Sequence, residues 1–162
     1  MPDPRISLDS IDAFLAQKRF ALVGMSRDPR SITSILFKEF ARRGYDVVPV
    51  NPSLSEAMGR RCFARLQDVQ PPISAVLLLT SPEVTDSVVR DCAASGVKLV
   101  WMYKAGGRGA VSETAIDFCR QQGIAVIPGE CPLMFLPRVG GIHLLHHLFR
   151  KLTGRYPRHA HA

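Results

Sequence analysis

Histidine is absent from the first 142 residues of this 162-residue chain, and its four cysteines, Cys62, Cys92, Cys119 and Cys131, form no Cys-x-x-Cys pair. That spacing argues against a zinc site or a disulfide framework and leaves reduced, buried thiols as the expectation. Long apolar runs are also missing. Ala75–Leu79, five residues, suits a buried strand and is far short of a membrane span. The stretch Met1 to Asp12 is polar and carries no apolar signal segment, so a cytoplasmic protein is expected. Acidic residues are outnumbered, 14 against 21 Lys and Arg, but the excess is uneven. From Arg138 onward there are five Lys or Arg and no Asp or Glu, so most of the net charge of +7 belongs to the tail. Such a tail reads as a solvated end rather than a nucleic-acid surface, since no nucleic-acid motif with interleaved aromatics accompanies it. Hydrophobic residues make up 46% of the chain, which excludes a disordered polypeptide and gives one domain a sizeable core.

What is present is a repeated unit. Gly44, Gly96 and Gly123 each close an amphipathic stretch and precede an apolar run, Asp46–Val50, Lys98–Met102 and Ala125–Ile127 respectively. Glycine after a helix is the usual C-terminal stop, and short Val/Ile-rich runs are strands. Helix alternating with buried strand predicts a Rossmann-like α/β fold: a central parallel sheet of about five strands with helices on both faces. The first helix carries Ile32, Ile35, Leu36 and Phe40 on one expected inward stripe, the second Val84, Val88 and Cys92, and the third, capped by Ser112, Ile116 and Cys119. Phe20–Gly24 and Ala75–Thr80 supply two more strands. The expected order places Phe20–Gly24 between Val47–Val50 and Ala75–Thr80, with the last two strands outward of Ala75–Thr80. A helix around Ile11–Gln17 is expected to cover one edge, and Gly59–Leu66 to add a short edge strand.

This order makes a topological switch point at the end of the first strand, where such sheets bind ligands. There the chain reads Gly24-Met25-Ser26-Arg27-Asp28-Pro29 before a helix starting near Ser31. Glycine permits a tight turn, the helix N-terminus attracts phosphate, and Arg27 and Arg30 add positive charge. A full dinucleotide fingerprint needs a second glycine, where Ser26 stands, and an acid after the second strand, where Asn51-Pro52 stands. That disfavours NAD and leaves a phosphate-bearing adenine nucleotide.

The strings Val23-Gly24-Met25-Ser26-Arg27-Asp28-Pro29, Val48-Pro49-Val50-Asn51-Pro52 and Gly129-Glu130-Cys131-Pro132 resemble the small stand-alone CoA-binding proteins, which are similar to the N-terminal domain of the succinyl-CoA synthetase α subunit. The resemblance runs from about residue 8 to 137 and implies a CoA-binding Rossmann-like domain over 1–137, with coenzyme A or an acyl-CoA as ligand. It implies a phosphate loop at Gly24, Met25, Ser26 and Arg27, and further contacts from Val50, Asn51 and Pro52, from Thr80, Ser81 and Pro82, and from Met102, Tyr103 and Lys104. The synthetase's Lys-Gly-Gly after its second strand is replaced here by Ser53-Leu54-Ser55, which leaves Arg60, Arg61 or Lys104 as candidate substitutes for the lost cation.

No catalytic constellation is legible. The synthetase's phosphorylated histidine lies in a second domain, and no counterpart of that domain is expected here. Cys131 is the best nucleophile candidate, although a buried structural thiol is the plainer reading, and Glu130 has no visible partner acid. The expected function is a non-catalytic or regulatory CoA-binding protein. Two alternatives are a NAD(P)- or other nucleotide-dependent Rossmann enzyme or sensor, and an interaction protein that uses its basic tail. Residues 138–162 read as a basic, His-rich helical extension. Ile142, Leu145, Leu148, Phe149 and Leu152 share one face, expected to dock on the same chain or to form a homodimer. His143 and His147 share a face too, but without a carboxylate or thiol nearby no metal site is assigned.

Overall fold

In the computed structural model, which describes residues 5–137, the chain runs α1 (Leu8–Ala16), β1 (Arg19–Val23), α2 (Ile32–Arg42), β2 (Asp46–Val50), β3 (Glu56–Ala57), β4 (Arg60–Arg61), β5 (Ala75–Leu78), α3 (Pro82–Ala94), β6 (Leu99–Met102), α4 (Glu113–Gln121) and β7 (Ala125–Pro128). The five long strands form one parallel sheet in the order β2-β1-β5-β6-β7, as the sequence predicts. Alternation along each strand feeds two cores. Phe20, Leu22, Leu77 and Trp101 point to the face covered by α1 and α2. Ala21, Val23, Leu78 and Met102 point to the face covered by α3 and α4. On the first face, rings interlock edge to face: Phe14 with Trp101 at 5.3 Å and Phe20 with Phe40 at 4.8 Å between centroids. All four described helices open on a serine whose hydroxyl accepts a first-turn amide: Ser7, Ser31, Ser81 and Ser112. No described helix is long and apolar enough to cross a membrane.

The structure corrects four expectations. The N-terminal helix covers a face of the sheet rather than an edge: Ile11 and Phe14 are fully buried beside Phe20 and Trp101. Gly59–Leu66 adds no full edge strand. It contributes β4 of the small antiparallel hairpin β3–β4 and a single bridge from Phe63 to Val50. In α3 the buried stripe is Thr85, Val89 and Cys92, while Val84 is exposed. In α2, Ile32 and Ile35 are exposed and Thr33, Ser34, Leu36, Phe37 and Phe40 face inward. The physical reason is the same in both helices: hydroxyl groups near the N-terminus are drawn inward by hydrogen bonds to the adjoining loops. The extension 138–162, with its expected helix, its dimer contact and its histidines, lies outside the described residues.

Candidate functional site

β1 lies between β2 and β5, and the three strands end level: Val23 is in register with Val50 on one side and Leu78 on the other. Backbone bonds hold this line past the strands, from the Gly24 amide to the Val50 carbonyl at 3.1 Å and from the Leu79 amide to the Val23 carbonyl at 2.9 Å. Gly24 adopts φ +99°, and a Cβ there would meet the Leu79 carbonyl oxygen at 2.4 Å. Only glycine fits this crossing.

The loop after Gly24 hangs on the first turn of α2. The Ser26 amide donates to Thr33 Oγ1 at 3.1 Å, the Asp28 amide to Ser26 Oγ at 3.0 Å, and Ser34 Oγ to the Asp28 carbonyl at 2.8 Å. Thr33 and Ser34 are buried to make these bonds. Ser31 caps the Ser34 amide, so the amides of Ile32 and Thr33 remain at the open N-terminus of α2 with no acceptor within the helix. Those amides and the helix dipole give this turn a positive potential, and the exposed Arg27 follows in the same loop, its Nη2 donating to the Ser53 carbonyl at 3.2 Å.

The β2 exit is tied to the same loop by Asn51. Its Nδ2 donates to the Met25 carbonyl at 2.6 Å, and its Oδ1 accepts from the Ser53 amide at 2.7 Å. Both ends of the amide are therefore engaged by the protein. Beside this exit opens a cleft of about 600 Å³ lined by Arg27, Pro52, Ser53, Leu54, Arg61 and Phe63.

The structure brings the expected residues to the C-terminal ends of the strands, but several have only backbone to offer there. The side chains of Met25, Val50 and Met102 are buried in the cores. Thr80 shares a hydroxyl bond of 2.7 Å with Thr85, and Ser81 caps α3, so both hydroxyls serve the fold. Arg30 turns back to Asp28 at 3.4 Å. Of the candidate replacement cations, Arg60 is drawn away to Asp46 at 2.7 Å and the Val47 carbonyl at 2.9 Å. Lys104 lines a second cleft of about 490 Å³ with Pro82, Glu83, Asp86, Arg108 and Ser112. Only Arg61 reaches the cleft beside β2.

Sequence reasoning missed Phe63, Arg108 and the pairing of Tyr103 with Cys131. Tyr103 and Cys131 lie together at the β6 and β7 exits, close enough to affect each other's titration. Burial pushes the Cys131 thiol up and pushes the Tyr103 phenol to about 12. Both groups are protonated at neutral pH, so Cys131 is not a poised nucleophile. Glu130 beside it holds a left-handed backbone, φ 70°. The turn is pinned by Trp101 Nε1, which donates to the Gly129 carbonyl at 2.7 Å, and by the Lys104 amide, which donates to the Glu130 carbonyl at 3.2 Å.

The parallel sheet and its strand-end loop define a Rossmann-like α/β domain. The chain belongs to the CoA-binding domain family, whose model, described as a CoA binding domain, matches residues 18–137. It is 28% identical over 114 residues to the uncharacterized protein YneT of Bacillus subtilis, covering 70% of this chain and 82% of that one. Over 129 residues it is 24% identical to an ADP-forming acetate–CoA ligase II subunit alpha of Pyrococcus furiosus, covering 75% of this chain and 28% of the ligase subunit. The chain thus spans most of YneT and just over a quarter of that subunit. A solved structure of a hypothetical protein from Pyrococcus horikoshii matches with a TM-score of 0.73 and 28% identity, over 82% of this chain and 91% of the other.

Proposed function

We propose that this chain binds coenzyme A or an acyl-CoA across the exits of β1, β2 and β5, as a binding or regulatory protein without chemistry of its own. The observation that carries this reading is the loop Gly24–Arg27 seated on the open N-terminus of α2, where first-turn amides and the helix dipole favour an anion, with the Arg27 side chain turned to the neighbouring cleft. A diphosphate fits there. The family match and the CoA ligase relative favour CoA among diphosphate nucleotides. Asn51 stands where a ribose-binding carboxylate would, and its amide is already engaged at both ends by the protein, which weighs against NAD. The protonated Cys131 weighs against a thiol-based enzyme. The test is mass spectrometry of small molecules released from the purified protein, followed by calorimetry with CoA, acetyl-CoA and NAD. Saturable binding of CoA or acetyl-CoA supports the reading. Binding of NAD alone overturns it.

A further inference from the structure

The hairpin β3–β4 stands over the β2 exit and carries two arginines in succession, Arg60 and Arg61. Adjacent residues of a strand point to opposite sides. Arg60 is spent on Asp46 and the Val47 carbonyl. Arg61 turns into the cleft, its guanidinium carbon 4.7 Å from the centre of the Phe63 ring. Among the described residues no carboxylate pairs with Arg61 and no hydrogen bond holds its guanidinium. Its neighbours differ: Asp28 answers Arg30, and Asp68, which also lines the cleft, is held by Arg65 at 3.3 Å. Arg27, which also lines the cleft, donates to the Ser53 carbonyl at 3.2 Å and, among the described residues, likewise has no carboxylate partner. The cleft therefore holds two guanidinium groups whose charge the protein leaves unneutralised. A guanidinium over an aromatic face keeps its N–H donors available, the chemistry that suits a phosphate.

Coenzyme A carries one anion besides its diphosphate, the phosphate on its ribose. Resting on the reading above, we propose that Arg61, with Arg27, forms a second anion subsite that takes this ribose phosphate, so that the chain selects nucleotides phosphorylated on the ribose over those that are not. Arg27 borders both the loop and the cleft, which places the two anion sites side by side.

The test is calorimetry of the full chain with CoA and with dephospho-CoA, on the wild type, Arg61→Ala and Arg61→Gln, with a melting curve for each. The expected result is a wild type that binds CoA at least about tenfold more tightly than dephospho-CoA, the size of one charge-assisted phosphate contact. Both variants should lose that preference by weakening CoA alone, leaving dephospho-CoA within about twofold of wild type. Equal wild-type affinity for the two ligands overturns the subsite and leaves CoA binding standing. So does a variant that weakens both ligands alike, since Arg61 would then be stacking on the base or supporting the fold. A wild type that binds neither ligand overturns the subsite and the proposed function together.

Discussion

Gly24 crosses so close to Leu79 that a Cβ on it would stand 2.4 Å from the Leu79 carbonyl oxygen. That carbonyl belongs to the backbone leaving β5, so it has little freedom to yield. The close approach joins the first strand's exit to its neighbour and aims the following loop at α2.

Gly24→Ala should therefore damage both fold and site. The left-handed backbone alone costs a non-glycine residue about 1–3 kcal/mol, and the contact with Leu79 adds to it. We expect a clear fall in melting temperature and at least a roughly tenfold loss of CoA affinity in the protein that remains folded. Unchanged melting and binding would contradict the assigned crossing.

Asn51 joins the β1 loop to the β2 exit through its two amide ends. Asn51→Ala removes both bonds and leaves the Met25 carbonyl and the Ser53 amide without these partners. A loss of about 1–3 kcal/mol in stability is expected, with weaker CoA binding because the loop is no longer held. In the wild type, NAD should bind less tightly than CoA in direct competition. Equal or tighter NAD binding would overturn this selectivity.

Cys131 should react slowly with iodoacetamide in the native protein at neutral pH. Burial is the main reason its thiol is raised, and the neighbouring Tyr103 hydroxyl works in the opposite direction. Tyr103→Phe should consequently leave Cys131 unreactive. Labelling resolved by mass spectrometry checks this, and native labelling as fast as that of the unfolded chain would refute it.

Glu39 is held below its ordinary value near 4.5 by hydrogen bonds from Arg42 and then Arg43. A depressed carboxylate stabilises the fold above its unfolded pKa, and that contribution is lost as pH falls through the folded value. Arg43 also donates to the Pro137 carbonyl at 3.2 Å, so the pair anchors the end of the described chain. Glu39→Gln should melt below wild type at pH 7, and the gap should close as pH falls from 5 toward 3. A gap independent of pH would show that charge plays no part.

The strand order was legible because it depends on apolar runs and punctuating glycines: Phe20–Gly24, Asp46–Val50 and Ala75–Leu79 identify themselves. The inward helix faces were less so. Apolar periodicity pointed to Ile32, Ile35 and Val84, where the fold buries Thr33, Ser34 and Thr85. Each of these hydroxyls is bonded: Thr33 to the Ser26 amide, Ser34 to the Asp28 carbonyl, Thr85 to the Ala110 carbonyl at 2.9 Å. Hydrophobicity fails as a guide where a helix N-terminus must hold a loop, and these loops form the candidate site. The position of the strand-end loop after Gly24 was legible for the same reason as the strand order. Its side chains were not: which of Arg60 and Arg61 faces the cleft depends on how the β3–β4 hairpin is seated, and that is set by pairing distant from either residue's own spacing.

The most direct test of the central claim is to map backbone amide chemical shifts of the full chain on addition of CoA. The account predicts the largest changes at Gly24–Arg27 and at Ile32 and Thr33, with smaller ones at Asn51, Ser53 and Arg61. Changes centred instead on the opposite end of the sheet, at Arg19, Asp46, Ser74 and Lys98, would contradict it.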